Sequence, residues 1–222
     1  MLNVHRARRA ASLICAQRIK RLARTIAKDH SEKRLHILAM AAEVFASEGI
    51  ARASMIKVAR NCGISKANIY HYYPSKDALI FDILNSYLSA LRDQIYGLSL
   101  EALFCEDKLY LITREILLAY EGMDHEHKIQ TEGLALLPKA QQEILKGYQR
   151  DMVELVSRVL AEIAPPQISK DARQMKNVTM SVFGMLNWFY KWNPKASRSA
   201  RASYAETVAS LTIGGIKGYK VN

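Results

Sequence analysis

The stretch Ser65-Lys-Ala-Asn-Ile-Tyr-His-Tyr-Tyr73 gathers the side-chain types that grip a polyanion and read bases. Lysine gives charge to a phosphate or a bidentate contact to guanine, and asparagine pairs with adenine in the same manner. Tyrosine hydroxyls and a histidine ring reach backbone phosphates, which set register on a duplex without carrying sequence. Three tyrosines and a histidine in consecutive positions are too many for an ordinary solvated face. The expected nucleic-acid contacts are Ser54, Ser65, Lys66, Ala67, Asn68, Tyr70, His71, Tyr72 and Lys76, with Ile69 and Tyr73 packing inward. Lys76 falls in the first turn of the following helix, where a cation opposes the helix dipole unless an anion comes near, and a phosphate would be that anion.

No comparable set supports catalysis, and no catalytic residue or cofactor is expected. Cys62 and Cys105 have no neighbouring base or oxyanion loop, and there is no phosphate-binding glycine loop or paired-carboxylate motif. Cys15, Cys62 and Cys105 are odd in number and widely spaced, which fits thiols in a reducing cytoplasm. His125, Glu126 and His127 hint at a metal, but histidines at i and i+2 point apart on a helix, so none is expected.

The elements that must hold these residues read as helices. Apolar residues recur at three- and four-residue steps, and no alternating run is long enough for a sheet, so an all-α fold is expected. A first helix from Glu32 carries the stripe Leu35, Leu38, Ala39, Ala42 and Phe45, and ends at Glu48-Gly49. Ser54 caps a second, with Ile56, Val58 and Ala59 inward and Gly63 at its end. Ser65 caps a third, stopped by Pro74, and Ser75 caps a long fourth with Leu79, Ile80, Ile83, Leu84, Tyr87, Leu88 and Leu91. Residues 54–73 thus read as a helix-turn-helix for the DNA major groove. Further helices are expected near 101–121, 125–136, 139–163, 170–192 and 200–218, with Pro138, Pro165-Pro166 and Pro194 at the joints. The expected organisation is a basic extension (1–30), a DNA-binding domain (31–91) and a larger ligand-binding and dimerisation domain (92–222). The fourth helix bridges the last two.

Charge follows the same division. The net charge is +11, and residues 1–30 hold eight cations against Asp29 alone. Residues 31–80 hold seven cations against four acids, so the other 142 residues are nearly neutral. Three functional readings of the leader stand open: an arm along DNA, an interfacial helix on anionic lipid, or a transit-peptide mimic. An extension with no fixed site is the fourth. No window approaches the roughly 20 apolar residues of a spanning helix, so no membrane partner is expected.

Ile64-Ser-Lys-Ala-Asn-Ile-Tyr-His-Tyr-Tyr-Pro-Ser-Lys-Asp-Ala-Leu79 resembles the signature of TetR/AcrR-type bacterial repressors, as does Ala41-Ala-Glu-Val-Phe-Ala-Ser-Glu-Gly49. The resemblance covers about residues 31–91. It implies a cytoplasmic homodimer on a palindromic double-stranded operator, with one three-helix reading head per subunit. The family often has glycine where Ala67 stands and threonine or alanine where Asn68 stands, departures that bear on operator sequence rather than fold.

The body offers one dense aromatic stretch, Met180 to Trp192, with both tryptophans on one helix face. Such residues suit a cavity wall, a dimer interface or plain core packing. Tyr120, Tyr148, Phe183, Trp188 and Trp192 are the expected ligand-binding residues. The run Gly184–Trp192 with Asn193-Pro194 is similar to a helix in family members that respond to acyl-coenzyme A thioesters. That similarity implies Trp188 and Trp192 near the ligand, with Arg150 and Lys191 either facing its charge or simply solvated. Small residues at Ala202, Ala205, Ala209, Gly214 and Gly215 suit the four-helix dimer interface that the resemblance implies. The expected function is a repressor released from its operator by a small molecule. A non-sensing DNA-architectural protein is the alternative.

Overall fold

The computed structural model describes residues 30–218, and among these every regular element is helical. The basic leader expected over 1–30 lies almost wholly outside the described residues. Helix α1 covers residues 30–48. It is followed by α2 (Met55–Asn61), α3 (Lys66–Tyr72) and α4 (Lys76–Tyr96). Serines cap all three of the latter: the Oγ atoms of Ser54, Ser65 and Ser75 accept from the backbone N–H of Lys57, Asn68 and Ala78 at 3.1–3.2 Å. Gly49 and Gly63 close α1 and α2 with φ of +83° and +67°, a backbone that side chains with a Cβ rarely adopt.

The body adds α5 (Cys105–Ala119), α6 (Asp124–Gly133), a 3-10 turn (Leu134–Leu136) and α7 (Lys139–Ile163). The short α8 (Pro166–Ser169), α9 (Ala172–Trp192) and α10 (Arg198–Gly218) complete it. The expected helix at 101–121 begins later, at Cys105; the one at 170–192 runs unbroken as α9 from Ala172, with Asp171 capping it through the N–H groups of Arg173 and Gln174, and the short α8 precedes it.

Three expected core positions are overturned. In α1 the buried residues are Ile37, Leu38, Ala41, Ala42, Val44, Phe45 and Ala46, while Leu35 is 59% exposed and Ala39 also faces out. In α2 the core takes Met55, Val58 and Ala59, and Ile56 is 46% exposed. Met55 stands three and four residues before Val58 and Ala59 and so shares their side of α2, whereas Ile56 is turned 100° from Met55 and falls outside that stripe.

Helix α4 buries one face along its whole length. Its first half buries Leu79, Ile80, Ile83 and Leu84, and its second buries Tyr87, Leu88, Leu91 and Ile95. All belong to one apolar cluster running from Ile37 to Ile216. Helix α6 makes a second link to α1–α3: the Lys128 ammonium donates to the Ala46 carbonyl at 2.6 Å, and Gly133 lies against Ile50 and Ile80. No described helix is long and apolar enough to cross a membrane.

Candidate nucleic-acid interface and ligand cavities

Helix α3 is short because Pro74 forces Tyr73 into an extended backbone, and it is anchored by little. Ile69 is its only buried residue, and Tyr73 just beyond it is buried as well. That anchoring turns Lys66, Ala67, Asn68, Tyr70 and His71 outward together. Ser54 and Ser65 are exposed at the two helix starts, with their hydroxyl oxygens engaged in capping. Tyr72 is half-buried: its ring stacks on His30 at 4.9 Å and meets the edge of His71 at 5.9 Å. The Tyr73 hydroxyl donates to Asp82, whose other oxygen accepts from Arg34, so one carboxylate ties α1, α3 and α4 together. Burial first, and then that carboxylate, push the Tyr73 hydroxyl well above its ordinary pKa.

Lys76 differs from its expected role. Its ammonium donates to the carbonyls of Ile50 at 2.8 Å and Ala53 at 3.2 Å, with Ala51 at 3.5 Å. Those oxygens offset the charge that a phosphate was expected to offset. Lys76 pins the loop before α2 to the start of α4, and so positions the reading helices. Arg60 and Lys66 are the exposed cations beside the α2–α3 turn, and Arg60 was not singled out from sequence.

Behind this head the α6 region carries a buried polar cluster. The Tyr87 hydroxyl lies 2.7 Å from His127 Nδ1, the Tyr120 ring meets His127 edge-on at 4.3 Å, and Tyr120 donates to Asn187 at 2.9 Å. Burial lowers the His127 pKa to about 4, so the ring is neutral at neutral pH. His125 faces solvent, so the two histidines do not converge. Sequence reasoning missed Arg201, which is fully buried and donates to the carbonyls of Ala196 and Leu117. Nothing in a sequence marks an arginine that caps two backbone segments inside a core.

The five expected ligand residues do not gather at one cavity. Trp188 and Trp192 are 62% and 55% exposed on the outer face of α9. Phe183 and Tyr120 are core residues. Tyr148 is half-buried, donating to Asn85 at 3.1 Å with the Arg92 guanidinium 5.0 Å above its ring. Arg150 and Lys191 are exposed; Arg150 pairs with Glu143 at 3.2 Å, and the Lys191 ammonium lies 5.2 Å from the Tyr190 ring.

Among the other spaces, two stand out by their lining. A groove of about 850 Å³ between α7, α8 and α9 is lined by Lys146, Arg150, Arg158, Lys170 and Lys176 against a single acid, Glu154. A cleft of about 390 Å³ lies between α1, α4, α5 and α6. Its lining is mostly apolar, and Glu126 is its only charged member. Burial raises the Glu126 pKa, and its Oε2 atom has no hydrogen-bond partner.

Two family models match this chain. Residues 37–83 match the bacterial regulatory proteins of the tetR family, and residues 104–216 match the Tetracyclin repressor-like C-terminal domain. The chain spans only 19% and 59% of the length of the first two curated relatives, both HTH-type regulators of Bacillus subtilis (strain 168). It is 22% identical over 196 residues to the fatty acid metabolism regulator protein of the same organism, covering 85% of this chain and 98% of that one. A TetR-family transcriptional regulator from Bordetella parapertussis 12822 superposes with a TM-score of 0.76 at 26% identity, covering 85% of this chain and 98% of the other. The regulator FadR from Bacillus subtilis in complex with stearoyl-CoA superposes at 0.64 with 16% identity, over 82% and 98% of the two chains. The second family model alone covers more than half of the chain and the first falls on the capped helices described above: the chain belongs to the TetR family of bacterial transcriptional regulators.

Proposed function

We propose that this protein is a homodimeric, sequence-specific DNA-binding regulator in the cytoplasm, released from a palindromic operator by a small molecule. The observation that carries the reading is the outward set on α3: Lys66, Ala67, Asn68, Tyr70 and His71 are exposed together on a helix that buries Ile69 alone. Residues 31–91 act as the reading domain and residues 92–222 as the sensing and pairing domain. Asn68 reads a base edge, Lys66 reads guanine or holds phosphate, and Tyr70, His71 and Tyr72 hold the backbone. Two such heads must sit about 34–36 Å apart to occupy successive major grooves.

The outer face of α9 and α10 supports pairing with a second copy. Met180, Trp188, Trp192 and Leu211 are exposed there. A Cβ placed at Gly184, Gly214 or Gly215 meets nothing within 4 Å, so a partner helix can approach closely. The tryptophans therefore serve the dimer rather than a cavity wall. For the effector, an acyl-coenzyme A thioester is favoured by the likeness to a fatty acid metabolism regulator and by the five cations of the α7–α9 groove, which suit phosphates.

Titration of a mapped operator with stearoyl-CoA, free coenzyme A and stearate tests both levels. Release by stearoyl-CoA alone is the expected result. Retention in the presence of stearoyl-CoA overturns the effector, and equal affinity for operator and random DNA overturns the whole reading.

A further inference from the structure

The cleft between α1, α4, α5 and α6 does not suit an acyl-coenzyme A. Its walls include Leu35, Leu38, Ala90, Leu91 and Met123, and no lining residue is a cation. The exposure of Leu35 has a reason here, because it forms an outer wall of an apolar recess. At about 390 Å³ the space lies at the lower end of small-molecule sites, which run from about 300 to 1,000 Å³. Tyr87 already has a partner in His127. Glu126 is half-buried and lines the cleft, and one of its carboxyl oxygens, Oε2, has no hydrogen-bond partner. A buried acceptor left unpaired is unfavourable, and a charged one more so, which makes this oxygen a selector for whatever brings it an N–H.

We propose that this cleft is a second ligand site that takes a compact aliphatic molecule ending in a primary ammonium, with Glu126 as its partner. Carboxylates and phosphates are repelled by the same group. The site reaches beyond the acyl-coenzyme A reading in both place and charge. Its walls come from α1 on one side and from α4, α5 and α6 on the other, so a bound molecule touches reading head and body at once. It then shifts operator affinity to the extent that it prefers one disposition of the two over another.

Isothermal titration of the full chain with n-hexylamine tests the site, with hexanoate and 1-hexanol as controls. Hexylamine is expected to bind and hexanoate to bind at least about tenfold more weakly. Glu126→Gln removes the charge and weakens hexylamine by about tenfold. Ala90→Trp fills the recess from the exposed side of α4 and abolishes binding, and it decides the matter should Glu126→Gln fail to fold. Hexanoate binding as tightly as hexylamine, or hexylamine binding unchanged in the folded variants, overturns the site. With saturating hexylamine the operator Kd is expected to move about fivefold or more, and an unchanged Kd overturns the coupling. The amine titration needs no operator, so its failure leaves the DNA-binding reading untouched.

Discussion

Replacing Gly133 with alanine drives a methyl group into the contact between α6 and the head. The added Cβ would lie 2.6 Å from Ile50 Cδ1, and 3.5 Å from the Cγ2 atoms of Ile129 and Ile80. Carbon atoms pack best at about 3.5–4.0 Å, so the two isoleucine Cγ2 contacts are tolerable and the Ile50 contact is not. Ile50 must withdraw by about 1 Å into a packed core, and overpacking of this kind costs about 1–3 kcal/mol. The backbone itself is not strained, since Gly133 has φ −101° and ψ −25°. Alanine's better helix propensity returns up to about 1 kcal/mol. The expected net loss is about 0.5–2 kcal/mol, measured by urea denaturation followed by circular dichroism. The decisive arm is Ile50→Val, which deletes the clashing Cδ1 and by itself costs about 0.5–1.5 kcal/mol. If the contact is what the distances say, the double variant is more stable than the sum of the single losses by about 1 kcal/mol. Additive losses, within about 0.5 kcal/mol, would refute the reasoning.

Three further outcomes are expected. Lys76→Ala frees three loop carbonyls, so it lowers thermal stability and operator affinity but leaves the dependence of affinity on salt unchanged; a salt slope reduced by about one unit would instead mean a lost phosphate contact. Asn68→Ala relaxes base preference at one operator position while Tyr70→Phe weakens all sequences alike, and equal losses on specific and random DNA for Asn68→Ala count against base reading. His127 binds its proton only near pH 4 when folded and near pH 6.5 when unfolded, so the unfolded chain holds more protons between those values. Its contribution is complete above about pH 6.5 and is lost progressively toward pH 4, amounting to at most about 3 kcal/mol. The stability difference between the native protein and His127→Asn should shrink across that window, and a constant difference would contradict the buried, neutral ring.

What the sequence disclosed and what it hid differ by the range of the forces involved. Ser54, Ser65, Ser75, Gly49 and Gly63 act on backbone within three or four residues, so they mark the reading helices directly. Met55 and Ile56 are equally apolar neighbours, and only packing against the rest of the core, α3 included, decides which one turns inward. Trp188 and Trp192 have the same composition whether they wall a cavity or face outward, and the choice depends on which side of α9 meets α7 and α10. Lys76 was legible as a cation near DNA, yet its partners lie 23 to 26 residues earlier in the chain. The recess at Glu126 depends on four helices meeting, and no window of sequence contains that.

The unbroken buried stripe of α4 bears on how such a regulator can change over generations. Because Leu79 through Ile95 seal one core shared by both halves, the protein has no seam at which a reading head can be exchanged for another. A head transplanted from a relative would arrive with its own residue where Ile50 meets Gly133, and the junction would have to be refitted before either half worked. On the proposed reading, new operators are easier to reach by substitutions at Lys66, Ala67 and Asn68, whose side chains are exposed, than by recombination.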